Sequence, residues 1–456
     1  MSEAVHELSA VRLRELYLAG ELSPVEVTRS VLDRIEERNG DLRAFITVTP
    51  QIALAQARAA ERAYREGEHA VPLLGVPVSI KDLTWTRGVR TTFGSLLTAD
   101  FVPDRDAPVV ERLRAAGAVM LGKTNVPEQG WKGETTNRLI GSTHNPWQPG
   151  ATAGGSSGGA AAAVAAGLGP IAQGSDGAGS IRIPAGFCGV FGLKPTFGTV
   201  PNWPPSSTDT LSHVGPIART AADAALMLGA MAGPDARDLH SLGRPVLDYQ
   251  AGLGDDLEGI RVAWSPDLGY VDVDPEVARL TAVAAASLTE AGADVHDLGP
   301  AFPDPWPVIN TLWAASEAAA YPNGIDAVRD LLDPGRVPVI EAGFELTPGE
   351  VAAAALARHT HYRAVDGLFD SADLLATPTL PVPAFPVGQD SPIRHGLQTS
   401  YLGWTGFTYP FNLSGHPAAT VPCGFVAAGL PVGLQIVGRW HSDALVLRAS
   451  AAFERL

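Results

Sequence analysis

Two runs rich in glycine and serine are the strongest candidates for chemistry in this sequence. Residues 154–159 read GGSSGG and residues 175–180 read SDGAGS. Glycine lets a ligand approach the main chain closely, and successive N–H groups in such runs can form a concavity that holds negative charge. Ser180 follows three small residues whose backbone donors could hold an oxyanion, so it is a candidate nucleophile. The first run opens a predicted helix, which Ser157 or a neighbour could cap.

Other interpretations of the two runs fit the sequence less well. A phosphate-binding loop is disfavoured because the chain has no GxxxxGK[ST], and residues 177–179 lack the third glycine of GxGxxG. Residues 154–158 match GxSxG, but the nucleophile elbow of α/β-hydrolases must follow a strand, and residues 145–153 are typical of a loop. A solvated linker is disfavoured because residues 160–173, between the runs, are apolar.

The sequence resembles the amidase signature family in two stretches, GGSSGGAAAAVAAGL at 154–168 and GSDGAGSIRIPAGFCGVFGLKPT at 174–196. The likeness extends over nearly the whole chain. It implies a Ser–cisSer–Lys triad whose serines lie 24 positions apart, which selects Ser156 as the bridging serine and Ser180 as the nucleophile. The family lysine corresponds to Lys81, in GVPVSIKD at 75–82.

The residues around Lys81 support a functional role for it independently of the resemblance. The apolar run VPVSI leads directly into it, which is typical of a buried strand. A buried lysine is rare unless it has a function, and burial lowers its pKa toward neutrality. We therefore expect Lys81 to act as a neutral base.

The resemblance also implies the roles of the surrounding residues. The backbone N–H groups that would hold the oxyanion belong to Gly177, Ala178, Gly179 and Ser180. Ala178 stands where many family members have glycine, which narrows the room beside its N–H. Asp176 and Arg182 would hold the nucleophile loop, with Ser157 as a supporting neighbour. We expect Trp131, in the long loop before the first run, to border the substrate cleft.

The implied fold is a single α/β domain over residues 1–456, with a mixed, mostly parallel central sheet covered by helices on both faces. The alternation of predicted strands and helices agrees with it. The signature core spans about 71–220, and substrate-shaping excursions span about 300–350 and 386–406.

The predicted elements follow hydrophobic pattern and capping residues. Residues 259–299 form a βαβ unit, hence a parallel strand pair. Gly429 joins two strands within 401–439, and residues 202–220 read as a loop. The predicted helices cover 7–19, 24–39, 50–66, 220–232, 274–293, 301–322, 349–370 and 441–455.

The implied function is hydrolysis of a carboxylic amide through an acyl-enzyme, with aryl esters and carbamates left open. The alternative is the amide-cleaving subunit of a tRNA-dependent amidotransferase. The stand-alone enzyme is favoured because YPFNLSGHPA and the tryptophan-rich loops are more similar to stand-alone amidases. A non-catalytic binding protein on this fold is disfavoured because all three triad positions are intact.

The composition limits the classes of partner that the chain is expected to bind. A net charge of −16 disfavours nucleic acid and anionic membranes. The substrate is expected to be a small amide. Aromatic residues in the loops favour an apolar or aryl substrate. The sequence leaves open whether the chain forms a homo-oligomer. Cys188 and Cys423 are expected to be buried free thiols. No apolar run reaches about 18 residues and no signal peptide is evident, so a cytoplasmic enzyme is expected. Without HExxH we expect no metal and no cofactor, and His416 is expected to be structural.

Overall fold

We analysed a computed structural model of the chain, which describes residues 4–394, 397–398 and 400–456. In the described part of the chain, eleven strands form one mixed sheet, in the order β1-β3-β2-β6-β8-β7-β14-β15-β11-β9-β10. Two short hairpins, β4-β5 and β12-β13, lie outside it. The strands are β1 (Phe45–Val48), β2 (Pro77–Lys81), β3 (Val119–Thr124), β4 (Thr136–Asn137), β5 (Gly141–Ser142), β6 (Ile171–Asp176), β7 (Phe191–Lys194), β8 (His213–Ala218), β9 (Arg261–Trp264), β10 (Asp294–Asp297), β11 (Leu374–Pro378), β12 (Ile393–Arg394), β13 (Leu397–Gln398), β14 (Ala418–Phe425) and β15 (Pro431–Gly438).

Two of the α-helices begin at a capping box. Ser23 and Glu26 form a capping box around Pro24, and Thr347 and Glu350 form another. The helices of the described chain are α1 (Ala10–Leu18), α2 (Pro24–Leu42), α3 (Pro50–Glu66), α4 (Pro108–Ala115), α5 (Gly158–Ala165), α6 (Arg182–Cys188), α7 (Ala221–Met231), α8 (Pro275–Ser287), α9 (Trp306–Ala319), α10 (Val337–Phe344), α11 (Pro348–Leu368), α12 (Tyr409–Ser414) and α13 (Asp443–Glu454).

The sheet separates two apolar cores. Neighbouring residues of one strand point to opposite faces, so Ile171 enters one core and Ala172 the other. Helices α4, α7, α8 and α13 contribute to the Ile171 core, whereas α1, α2 and α5 contribute to the Ala172 core. The predicted α/β architecture, a mixed sheet with helices on both faces, is therefore confirmed.

Strand pairing agrees with the sequence in part. β9 and β10 are parallel, as the βαβ pattern predicts. Parallel pairs also join β2 to β3, β2 to β6 and β9 to β11, while antiparallel pairs run through the middle of the sheet from β6 to β11. The prediction of a loop over residues 202–220 is wrong, because β8 fills 213–218 and pairs with β6 and β7. The sequence pattern did not predict this strand because it contains Gly215 and Pro216, and glycine and proline are both depleted in strands.

None of the helices among the described residues has both the length and the apolar composition that a membrane span requires.

Candidate active site

Lys81 is the last residue of β2, and hydrogen bonds fix both its main chain and its side chain. Its backbone N–H donates to Gln173 Oε1 at 3.1 Å, and the Thr84 hydroxyl donates to the same oxygen at 3.0 Å. Gln173 lies on the neighbouring parallel strand β6. This side chain therefore fixes the end of β2 from which Lys81 projects.

The Lys81 amino group meets the first glycine-serine run. Nζ donates to Ser156 Oγ at 2.8 Å and to the Ser175 carbonyl at 3.0 Å. The Gly155–Ser156 peptide bond is cis. Lys81 is fully buried, and Ser156 is 2% exposed. The structure thus brings together Lys81 and Ser156, which are 75 positions apart in the chain.

Burial is the main influence on Lys81. It lowers the pKa of the Lys81 amine to about 7, against an opposing effect of the Asp176 carboxylate. No carboxylate in the described chain contacts Nζ, whose hydrogen-bond partners are a hydroxyl and a carbonyl. Near neutral pH a large fraction of Lys81 is therefore unprotonated and can accept a proton.

Ser180 lies in the loop between β6 and α6 and lines the same cleft as Ser156. The backbone N–H groups of Gly177, Ala178 and Ser180 have no acceptor among the described residues. The N–H of Gly179 donates to Asp176 Oδ1 at 2.7 Å. The expectation that Gly179 holds the oxyanion is therefore corrected, because its donor is already engaged.

Asp176 organises the loop that carries Ser180 through a buried ion pair. Arg182 donates to it twice, from Nε and from a terminal nitrogen, each at 3.0 Å. Burial alone would raise the pKa of Asp176, but Arg182 outweighs that effect and holds the pKa well below its usual range. Asn412 donates to the carbonyl and the carboxylate of Asp176, at 2.8 and 2.9 Å. Asn412 was missed in the sequence, although it lies in the YPFNLSG stretch.

The cleft around the two serines has a volume of about 280 Å³. Its apolar wall contains Leu83, Trp85, Phe93, Val214 and Trp313. Glu317 is the one charged residue among the described lining. Seven further lining residues come from one segment of the chain: Asn202, Pro204, Pro205, Ser206, Ser207, Thr208 and Ser212. The expected excursion over residues 300–350 thus contributes Trp313 and Glu317, which the sequence did not single out.

Trp131 lies beside the cleft but not in its described lining. Its neighbours Gln129 and Gly130 line the cleft, whereas Trp131 is 1% exposed. The ring packs against Tyr401 and Lys132, and its N–H donates to Asp333 at 3.4 Å. Contact of Trp131 with substrate would therefore need a rearrangement, and we do not propose it.

Ser157, expected as a cap, makes a different contact. It precedes α5, but its side chain makes no capping bond and donates to the Ser175 carbonyl at 3.1 Å. The same carbonyl accepts from Lys81, so Ser157 supports the site by fixing that acceptor.

Two further sequence expectations concern residues away from the cleft. His416 is buried against the Phe369 ring and is not part of the described cleft lining. Cys188 is a buried free thiol, and Cys423 is free but only partly buried.

Comparison with known proteins identifies the family. The Amidase family matches residues 26–447. The acylamidase of Rhodococcus erythropolis is 41% identical over 99% of this chain and 95% of that protein. A glutamyl-tRNA(Gln) amidotransferase subunit of Roseiflexus sp. (strain RS-1) is 38% identical over 99% of this chain and 97% of that protein. The solved structure of a bacterial aryl acylamidase superimposes with a TM-score of 0.90 at 35% identity, covering 99% of this chain and 96% of the other.

Fold, cleft and relatives together define an enzyme that hydrolyses amide bonds. The chain belongs to the amidase signature family, as the sequence resemblance implies.

Proposed function

We propose that this chain is a stand-alone amidase that cleaves small apolar or aryl amides through Lys81, Ser156 and Ser180. The observation that carries the proposal is the 2.8 Å contact between Lys81 Nζ and Ser156 Oγ, in the cleft that Ser180 also lines. A buried amine, a bridging hydroxyl and a second hydroxyl can together do what histidine does in other serine hydrolases.

The proposed reaction begins with attack of Ser180 Oγ on the substrate carbonyl. Ser156 takes the proton from Ser180 and passes its own proton to neutral Lys81. The free N–H groups of Gly177, Ala178 and Ser180 stabilise the oxyanion as it forms.

Collapse of the tetrahedral intermediate needs a proton on the leaving amine. Lys81, now charged, returns its proton through Ser156 to that nitrogen, which leaves an acyl group on Ser180. Water then attacks the acyl-enzyme with the same lysine and bridging serine as its base. The ion pair of Asp176 and Arg182 acts as a positioning element, because it holds the loop and touches no reacting atom.

The substrate class rests on the wall of the cleft and on the relatives. Five apolar side chains line it, three of them aromatic, and no lysine, arginine or histidine is part of the described lining. An aryl group would bury apolar area against these rings. The similarity to an acylamidase and to an aryl acylamidase favours the same class. Aryl esters and carbamates present a similar carbonyl and belong in the same substrate panel.

The similarity to the Roseiflexus amidotransferase protein keeps one alternative, the amide-cleaving subunit of a tRNA-dependent amidotransferase. We would assay the purified single chain with 4-nitroacetanilide, a short aliphatic amide, an aryl ester, an aryl carbamate and glutamine. The proposal expects cleavage of the anilide without any partner and no release of ammonia from glutamine. Glutamine hydrolysis with no anilide cleavage would contradict it and favour the alternative.

A further inference from the structure

Helix α9 presents two residues to the cleft, one turn apart. Trp313 and Glu317 both line the cleft, as expected for residues four positions apart on one helix face. The Trp313 ring lies 3.2 Å from the position that a Cβ on Gly177 would occupy, so it borders the nucleophile loop directly. Glu317 is then about 6 Å from Trp313 along the helix axis.

The Glu317 carboxylate is buried and only half satisfied. It is 1% exposed, and Arg336 Nε donates to its Oε2 at 2.7 Å. A terminal nitrogen of Arg336 lies 2.7 Å from the same oxygen. No donor to Oε1 exists in the part of the chain that the structure describes. Glu317 is part of the cleft lining, and Oε1 is not among the fully enclosed side-chain atoms that lack a partner, so this oxygen is open to the cleft and can accept a hydrogen bond from a group that enters there.

The surroundings of Glu317 are strongly negative. Arg336 lies 3.8 Å from a second carboxylate, Glu128. A neighbouring cluster places Lys132 within 3.8 Å of three more, those of Glu134, Asp333 and Asp390. The two cations and five carboxylates carry a formal charge of −3. An anionic substrate group would be repelled at this end of the cleft, whereas a hydroxyl or ammonium group would be attracted.

We propose that Glu317 is a specificity-determining residue whose Oε1 accepts a hydrogen bond from an O–H or N–H group at the distal end of the substrate. The preferred substrates are then amides that carry a hydroxyl or ammonium group there, and amides with a distal carboxylate are rejected. This inference rests on the proposed function for the reaction itself.

Matched substrates test the preference. We would prepare acetanilides whose para arm ends in a hydroxyl, a methyl ether or a carboxylate, each at three arm lengths. At the arm length that fits, the hydroxyl substrate should exceed its methyl ether by about 10- to 100-fold in kcat/KM, as for a hydrogen bond to a charged group. The carboxylate substrate should be the poorest. Equal kcat/KM for hydroxyl and ether at all three lengths would overturn the proposal.

The variant Glu317→Gln tests the residue. The Arg336 guanidinium can only donate, so the glutamine carbonyl must stay on it and the amide NH₂ must face the cleft. The acceptor becomes a donor, and both a hydroxyl oxygen and an ether oxygen can accept from it, so the preference for the hydroxyl arm should be lost and the carboxylate substrate should gain. An unchanged preference in a variant with wild-type melting temperature would refute the role of Glu317.

The control is Asp390→Asn, which removes one charge from the neighbouring cluster without altering the described cleft lining. It should leave the hydroxyl-to-ether ratio unchanged. If it reduces that ratio as much as Glu317→Gln does, general electrostatics is the cause and the hydrogen bond is refuted.

A second readout separates this inference from the proposed function. Calorimetric binding of the same substrates to Ser180→Ala reports the preference without hydrolysis. Preferential binding of the hydroxyl arm, with no anilide cleaved by the wild-type enzyme, would support the inference about Glu317 and contradict the proposed function. Hydrolysis of unsubstituted acetanilide, with no preference among the arms in binding or rate, would support the proposed function and contradict the inference about Glu317.

Discussion

The pH dependence of amide hydrolysis should report the Lys81 amine. An amine at the ordinary pKa of 10.5 is neutral in about 3 molecules of 10⁴ at pH 7. With its pKa lowered by burial to about 7, roughly half is neutral, which is about 10³ times more base. In the proposed mechanism the neutral form is the active one, so activity should be lost as the pH falls through that pKa.

The assay is kcat/KM for an anilide between pH 5 and 9, which reports ionisations of the free enzyme. The logarithm should rise with a slope of one and level off above about pH 7. Lys81→Met should lose this limb together with most of the activity. A Lys81→Arg enzyme with near-normal activity would refute the reasoning, because arginine cannot serve as a base.

Glu454 provides the matched control for that profile. Burial raises the pKa of Glu454 to about 7, so it titrates in the same range as Lys81. Its carboxylate accepts from the backbone N–H of Ala221, outside the described cleft lining. Glu454→Gln should therefore keep the acidic limb. Loss of the limb in this variant would assign the titration to Glu454 and not to the lysine.

Three further predictions address the serines and the ion pair. Ser180→Ala should lower kcat by on the order of 10⁵–10⁶, and a serine-directed covalent inhibitor should label Ser180 in peptide mapping; a label on Ser156 would reverse their roles. Ser156→Ala should slow acylation by an anilide about 10²–10⁴-fold more than acylation by an activated ester of the same acyl group, in single turnover, because only the amine needs a delivered proton. An equal loss for both substrates would mean that Ser156 only positions Ser180. Asp176→Asn leaves Arg182 buried without its countercharge and should cost about 3–5 kcal/mol of unfolding free energy in a urea titration. A cost below about 1 kcal/mol would show that the pair is not what holds the loop.

The sequence predicts the parts of the site that depend on local pattern. The apolar run before Lys81 predicts a buried strand, and β2 is fully buried and ends at that residue. The serine spacing that the family resemblance implies selects Ser156 and Ser180, which the structure places on one cleft. These features follow from periodicity and from a long motif, so no tertiary contact is needed to find them.

Features set by loop conformation or by contacts distant in the chain were not predictable. Gly179 looks equivalent to its neighbours in the sequence, and only the loop conformation turns its N–H toward Asp176. Trp131 occurs in the polar stretch EQGWKGE and Trp313 in NTLWAAS, yet Trp313 lines the cleft and Trp131 does not, so local composition does not say which ring faces the cleft. Glu317 does interrupt the small apolar stretch AASEAAA, which could have identified it as a functional residue. Its partner Arg336 lies 19 positions away and follows no helical period.

The Glu128–Arg336–Glu317 contacts connect residues 300–350, the expected substrate-shaping excursion, to the segment that follows β3. Glu128 follows β3 in the core, whereas Arg336 and Glu317 belong to residues 300–350. Arg336 is fully buried. A chimera that exchanged residues 300–350 with those of a relative would separate this arginine from one of its carboxylates, or leave Glu128 facing an unrelated side chain. Exchange of specificity between family members should therefore succeed when residues 128–129 are transplanted together with the excursion, and such grafts should melt at higher temperature than grafts of the excursion alone.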